Sequence, residues 1–235
     1  MRNELILLSS GGSTSLPTHL RRGLVAHYDP WRQYITTGPS QMLLDYATDG
    51  GGAADDPAWT GKSLLFDGVD DYVDCGDTDK GNITLVAVSN VNESAGWHTL
   101  CARHNCILRI THQYEIGFER LLTFYYNETS NKSYMQRNNN ATTSPIMTKL
   151  RLTSDGHYSI DGLGVTPLKT SGNSLYDTNV IGSKLGVYGN TTVINTPLNG
   201  NIYLLLRWDR VLSDAELIIA EQRVVAYMAS RGILI

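Results

Sequence analysis

The amino-acid sequence predicts an all-β protein, an antiparallel β-sandwich with one C-terminal α-helix. Three observations carry this. The 235 residues include 22 Gly and 13 Tyr, a composition that favours strands and turns. Short runs of alternating apolar and polar residues recur at close spacing, broken by Gly, Asp, Asn and Pro. A single helical signature stands near the end of the chain, where Ser213-Asp214-Ala215-Glu216 reads as a capping box. The length suits one large sandwich domain.

Residues 1–20 read as a flexible N-terminal arm, because Ser9 to Ser15 is rich in Gly, Ser and Thr and Pro17 interrupts the next few residues. The domain proper is expected over 21–235. Leu24 to Asp29 alternates as a first strand, ended by Pro30. Trp31 to Thr60 is mostly loop, and Trp59 reads as a structural plug. Leu64-Leu65-Phe66 and Tyr72-Val73 flank Asp67-Gly68-Val69-Asp70, which predicts a tight hairpin between the two runs. Asn82 to Ser89 is apolar on both faces and predicts a central strand. Strands are then expected at Trp97–Arg103, Cys106–His112, Tyr114–Phe118 and Leu121–Tyr126 as an antiparallel meander. Asn127 to Pro145 is too polar for core and predicts an exposed hairpin or a rim loop. Ile146–Leu152, Val180–Val187 and Gly200–Asp209 complete about twelve strands. Alternation in the last puts Ile202, Leu204, Leu206 and Trp208 on one face. The helix is expected from Ser213 to Arg231, with Leu217, Ala220, Val224 and Met228 inward and Gly232 as its C-cap.

Two of these motifs carry a family resemblance. The string Phe66-Asp67-Gly68-Val69-Asp70-Asp71-Tyr72-Val73 resembles the F-D-G-x-D-D-Y-V string of laminin G-like, concanavalin A-like jelly rolls. Gly200-Asn201-Ile202 with Arg210-Val211-Leu212-Ser213-Asp214-Ala215-Glu216 resembles the closing pattern of the same family, a G-x-I strand followed by R-x-L-S-x-x-E. The resemblance covers residues 23 to 231 and implies a jelly roll acting as a binding or interaction module. An arm joined to such a domain also looks like the virion proteins of tailed bacteriophages. That implies capsid decoration, a head fibre or a tail-associated part, attached to a capsid or tail protein through the arm and able to adhere to glycans. The alternatives are a free lectin-like module for polysaccharide and, less favoured, a glycan-active enzyme.

Composition excludes other classes. A net charge of −4 without a basic run gives no footprint for nucleic acid. No stretch of about 18 apolar residues exists to cross a membrane. Leu5 to Leu8 is too short for a signal-peptide core, so synthesis in a host cytoplasm without export is expected. Cys75, Cys101 and Cys106 form no disulfide framework, and the six Asn-x-Ser/Thr sequons carry no glycan without a secretory route. A homo-oligomer is compatible with all of this.

Catalytic patterns are missing. The E-x-D-x-x-E strand of β-glucan hydrolases does not occur, nor do H-E-x-x-H or G-x-S-x-G, so the expectation is no enzyme. His98, His104 and His112 read as ordinary polar histidines rather than zinc ligands. Asp67, Asp70 and Asp71 are the calcium candidates, since closely spaced carboxylates suit a hard cation, although turn chemistry also accounts for them. For sugar, Trp31 with Tyr34, Trp97 with His98, and Tyr134 with Gln136 and Asn138 combine an aromatic face with polar neighbours.

Overall fold

The computed structural model describes residues 16–29, 34–37, 40–43, 57–69, 71, 73–74, 82–92, 96–103, 106–115, 118–126, 132–137, 144–152, 158–160, 184–185, 188–190, 193–195 and 198–235. In chain order they form α1 (Thr18–Arg21), β1 (Leu24–Asp29), β2 (Tyr34–Thr37), β3 (Ser40–Leu43), β4 (Ala58–Trp59), β5 (Leu64–Asp67) and β6 (Val73–Asp74). The long strands come next as β7 (Ile83–Val91), β8 (Gly96–Arg103), β9 (Cys106–Glu115), β10 (Phe118–Tyr126), β11 (Lys132–Arg137), β12 (Ile146–Leu152) and β13 (Tyr158–Ile160). The chain ends with β14 (Lys184–Leu185), β15 (Tyr188–Asn190), β16 (Val193–Asn195), β17 (Asn199–Trp208) and α2 (Asp214–Ser230).

These strands make an antiparallel β-sandwich. A nine-stranded sheet has the order β13-β12-β7-β17-β1-β2-β3, with β5 also on β17 and β4 on β5. A six-stranded sheet has the order β11-β10-β9-β8-β14-β6, and β15 pairs with β16. The meander β8 to β10 is antiparallel, as the close spacing of its strands predicts, and β11 extends it. Tyr114 and Glu115 complete β9 and Phe118 opens β10, so the separate strand expected at Tyr114–Phe118 is the turn region of one hairpin. The polar segment after Tyr126 forms β11 at a sheet edge.

The aspartate-rich turn does not close a hairpin. β5 pairs with β17 and β4 in the larger sheet, whereas β6 pairs with β14 in the smaller one. The segment between them crosses from one layer to the other. Both runs look like hairpin arms in sequence because a sharp turn and a sheet crossover demand the same turn residues.

β17 lies between β7 on one side and β1 and β5 on the other. Its pairing with β7 skips one residue, Ile202 facing Ser89 and Leu204 facing Val88, so Tyr203 is the extra residue of a bulge. A bulge reverses the alternation. Leu204, Leu206 and Trp208 therefore join Val86 and Val88 under the helix, while Ile202 shares its row with Leu64 and Ser89 on the opposite face. The single-face expectation for Ile202 fails for this reason.

α2 covers the outer face of the larger sheet. Leu217, Ala220, Val224, Tyr227 and Met228 pack on Val86, Val88, Leu204, Leu206 and Trp208. Leu16 and Leu20 complete the same core, and the Trp208 indole donates to the Leu20 carbonyl at 2.7 Å. Residues 16–20 are thus packed domain rather than arm, because Leu16 and Leu20, on either side of the α1 N-cap Pro17, are both buried in the core under α2. Residues 1–15 lie outside the described residues.

Each end of α2 is clamped by a buried arginine. At its start Ser213 caps the helix and forms the expected capping box with Glu216. Arg151 of β12, 2% exposed, donates to the Leu212 carbonyl and to Asp214. Thr84 donates to the Arg210 carbonyl at 2.8 Å and accepts from the Leu212 amide at 2.9 Å. Arg210 reaches Glu216 and the carbonyls of His19 and Arg22, joining α1 to α2. At the other end Arg231 makes a two-pronged pair with the fully buried Asp29 at 2.8 and 3.0 Å. The Tyr227 hydroxyl donates to the same carboxylate, and the guanidinium lies 3.6 Å from the Tyr227 ring centroid.

Arg231→Ala is expected to cost about 3–5 kcal/mol, because it leaves a buried carboxylate without its cation. Urea unfolding measures it, and a loss below about 1 kcal/mol, the worth of an exposed pair, contradicts the clamp. Glu216 supplies a pH test. The Arg210 side chain, with the amide and hydroxyl of Ser213, holds its carboxyl at about 2, against an ordinary 4.5. A carboxyl depressed on folding stabilises the fold above pH 4.5 and loses that contribution as pH falls toward 2. The stability difference between the native chain and Glu216→Gln should therefore shrink across that window.

Candidate functional site

The acidic turn is built as a latch. The Asp67 amide donates to the Asp71 carboxylate at 2.8 Å, and the Val69 amide donates to the Asp67 carboxylate at 2.7 Å. Gly68 has φ +84, and a Cβ there would lie 2.7 Å from the Asn199 side chain, so only glycine fits between the turn and β17. Asp71 is buried and Asp67 exposed. Both carboxylates thus hold backbone amides. Asp70 lies outside the described residues, and among those described no group of three or more His, Cys, Asp or Glu is placed to hold a metal.

The aromatic candidates are dispersed. Trp31 lies outside the described residues. Tyr34 opens β2, paired with Asp29 and Leu43 in the larger sheet. Trp97 and Tyr134 are both in the smaller sheet. Trp97 falls in one register row with Gln113, Leu121 and Arg137, and Tyr134 in another with Phe124, Ile110 and Cys101. On β11 the rows are three residues apart, so they have opposite parity. Next to Trp97, His98 is 6% exposed and accepts through Nδ1 from the Asn199 amide at 3.3 Å, tying the two sheets together. It also faces His112 in register, while His104 lies outside the described residues.

A polar ladder occupies one end of the larger sheet. The Thr60 and Ser63 hydroxyls lie 2.8 Å apart, Ser63 donates to Asn201 at 2.8 Å, Asn201 donates to Asn90 at 2.9 Å, and Asn90 donates to Asn92 at 3.3 Å. Asn90 and Asn201 face each other across β7 and β17, on the helix-bearing side. Their strands approach so closely that a Cβ at Gly200 would lie 2.1 Å from the Asn90 carbonyl oxygen. Beside the ladder Trp59 is 46% exposed on the two-residue strand β4. The expected plug is a surface residue, because among the described residues β4 is an edge strand that pairs with β5 alone. No motif marks the ladder in sequence, since its members are scattered from Thr60 to Asn201. The exposed indole had one signal, the polar turn Thr60-Gly61-Lys62-Ser63 immediately after it.

No model of a known protein family matches the chain, and no curated protein does. Solved structures do. Trypanosoma rangeli sialidase in complex with sialic acid matches at TM-score 0.50 and 15% identity, over 91% of this chain and 34% of that one. Those are fold-level similarities. The protein shares an antiparallel β-sandwich fold with it. The chain spans about a third of the sialidase it matches. Another structure of the same enzyme matches at TM-score 0.50, 16% identity, and 88% and 34% of the two chains. The Ruminococcus gnavus IT-sialidase CBM40 bound to α2,3-sialyllactose matches at TM-score 0.42 and 17% identity, over 60% of this chain and 82% of that one. The laminin G-like resemblance itself rests on the two sequence motifs.

If Asp71 serves the turn, Asp71→Ala lowers the melting temperature equally in chelator and in millimolar calcium. A stabilisation of the native chain by calcium that Asp71→Ala abolishes would instead assign the turn to the metal, by linkage.

Proposed function

We propose that the chain is a non-catalytic glycan-binding module. One observation carries the reading: both helices pack on the outer face of the larger sheet, so among the described residues no helix covers the smaller sheet, which holds Trp97 and Tyr134. An open antiparallel sheet with an aromatic position suits a shallow sugar site, where an aromatic face meets a pyranose ring and amides read its hydroxyls. In register Gln113, an amide residue, pairs with Trp97. The β-sandwich fold shared with a sialidase solved with sialic acid supports the same reading, and the missing hydrolase strand pattern favours binding over cleavage. Attachment to a phage capsid or tail through Leu5 to Leu8 is a finer form of this proposal, tested by whether the protein co-sediments with particles.

A panel of oligosaccharides is the test, with lactose and 3′-sialyllactose included because the sialidase of similar fold was solved with sialic acid. Trp97→Ala should weaken binding about tenfold, the equivalent of about 1.4 kcal/mol, while leaving the thermal unfolding cooperative. The absence of any hit at millimolar sugar would remove the reading.

A further inference from the structure

We propose that the outer face of α2 is a docking surface for a second copy of this chain, in an antiparallel two-fold pair centred on Gln222. Ala215, Ile218, Gln222, Val225 and Ala229 are all exposed, Ile218 at 37% and Val225 at 39%. Their spacing of three, four, three and four sets them in one row along the helix, the a/d seam of a coiled coil. The row lies opposite Leu217, Ala220 and Val224, which are buried on the sheet. At the α-helical rise it runs for about 21 Å without a charged side chain.

A surface helix usually turns its charges to water. In α2 they are drawn to the flanks instead: Asp214 binds Arg151, Glu216 binds Arg210 and Glu221 binds Lys149, so cations from β12 and from the end of β17 neutralise all three carboxylates. Arg223, the remaining charged residue of the helix, is half-buried. A continuous apolar row on a helix that already buries its other face fits a second apolar surface.

The order of the row decides what that surface is. Small, β-branched, amide, β-branched, small reads the same from both ends, with Gln222 in the middle. An isologous two-fold contact requires such self-complementarity. Turning one copy end over end about Gln222 seats Ile218 on Val225 of the second copy, Ala215 on its Ala229 and Gln222 on its Gln222. A glutamine amide both donates and accepts, so two of them satisfy each other across the axis. Because α2 lies on the larger sheet, the pair carries its two smaller sheets on its far sides, clear of the contact.

Analytical ultracentrifugation of the full chain, from micromolar to millimolar concentration, is the test. The expected result is a monomer-dimer equilibrium in the micromolar range, since a helix pair alone is a small interface. Ile218→Asp and Val225→Lys should each weaken the dimer at least about tenfold at an unchanged melting temperature, because each sets a charge against an apolar side chain twice in the pair. Mixed in equal amounts, the two variants should restore dimers, as aspartate then meets lysine at one site while Val225 meets Ile218 at the other. A monomer at every concentration would overturn the pair. Ile218→Asp would then tell what covers the face: a lowered melting temperature gives it to a segment of the same chain such as residues 1–15, an unchanged one to another protein. A dimer indifferent to both substitutions would put the contact elsewhere, and losses without recovery on mixing would overturn the antiparallel pairing.

Discussion

The structure depends on where its last strand goes. β17, residues 199–208, enters the middle of the larger sheet, with β7 along one edge and β1 and β5 sharing the other. Until it arrives, β1 and β7 belong to no common sheet. Its pairing with Leu24 to Tyr28 joins the two ends of the domain, and such non-local pairing is costly in loop entropy before it is rewarded by contacts. The polar ladder, the bulge at Tyr203 and the close approach at Gly200 all lie along this strand.

The course of the chain beyond β17 is a consequence of that placement. It leaves the sheet at Trp208, turns over Thr84, and lays α2 back across the face it has just completed. The helix buries one apolar stripe, yet position along the sheet is not set by apolar packing, which is non-directional. The two buried arginines provide direction. Arg151 holds the first turn from β12, and Arg231 holds the last turn on Asp29 of β1, so the helix spans the sheet between fixed points.

The most recognisable motifs turn out to be structural in this chain. In the closing motif Arg210 bridges α1 and Glu216, Leu212 is core, Ser213 caps, Asp214 meets Arg151 and Glu216 completes the capping box. In the acidic turn, Asp67 and Asp71 satisfy backbone amides, and Gly68 avoids Asn199. Motifs of this kind announce a fold without announcing a ligand. The hydroxyl and amide ladder from Thr60 to Asn92 carries no compact string either.

The sequence by itself determined whatever is written in a local window. An apolar, β-rich run in Ile83–Val91 and short runs in Cys106–Glu115 and Phe118–Tyr126 made strands, and a serine three residues before a glutamate started the final helix, because these patterns reflect bonds within a few residues. Tertiary structure alone decided the rest. A turn string cannot say whether its arms pair, so β5 and β6 were sent to different sheets. An added bulge residue turned Ile202 away from the helix, an edge position exposed Trp59, and docking against Trp208 drew Leu16 and Leu20 into the core. Asp29 and Arg231 look like surface charges at opposite ends of the sequence, and they became a buried pair because the fold brought them within 3 Å. Side-chain exposure belongs to the neighbours that long-range pairing supplies, and no local spacing encodes those neighbours.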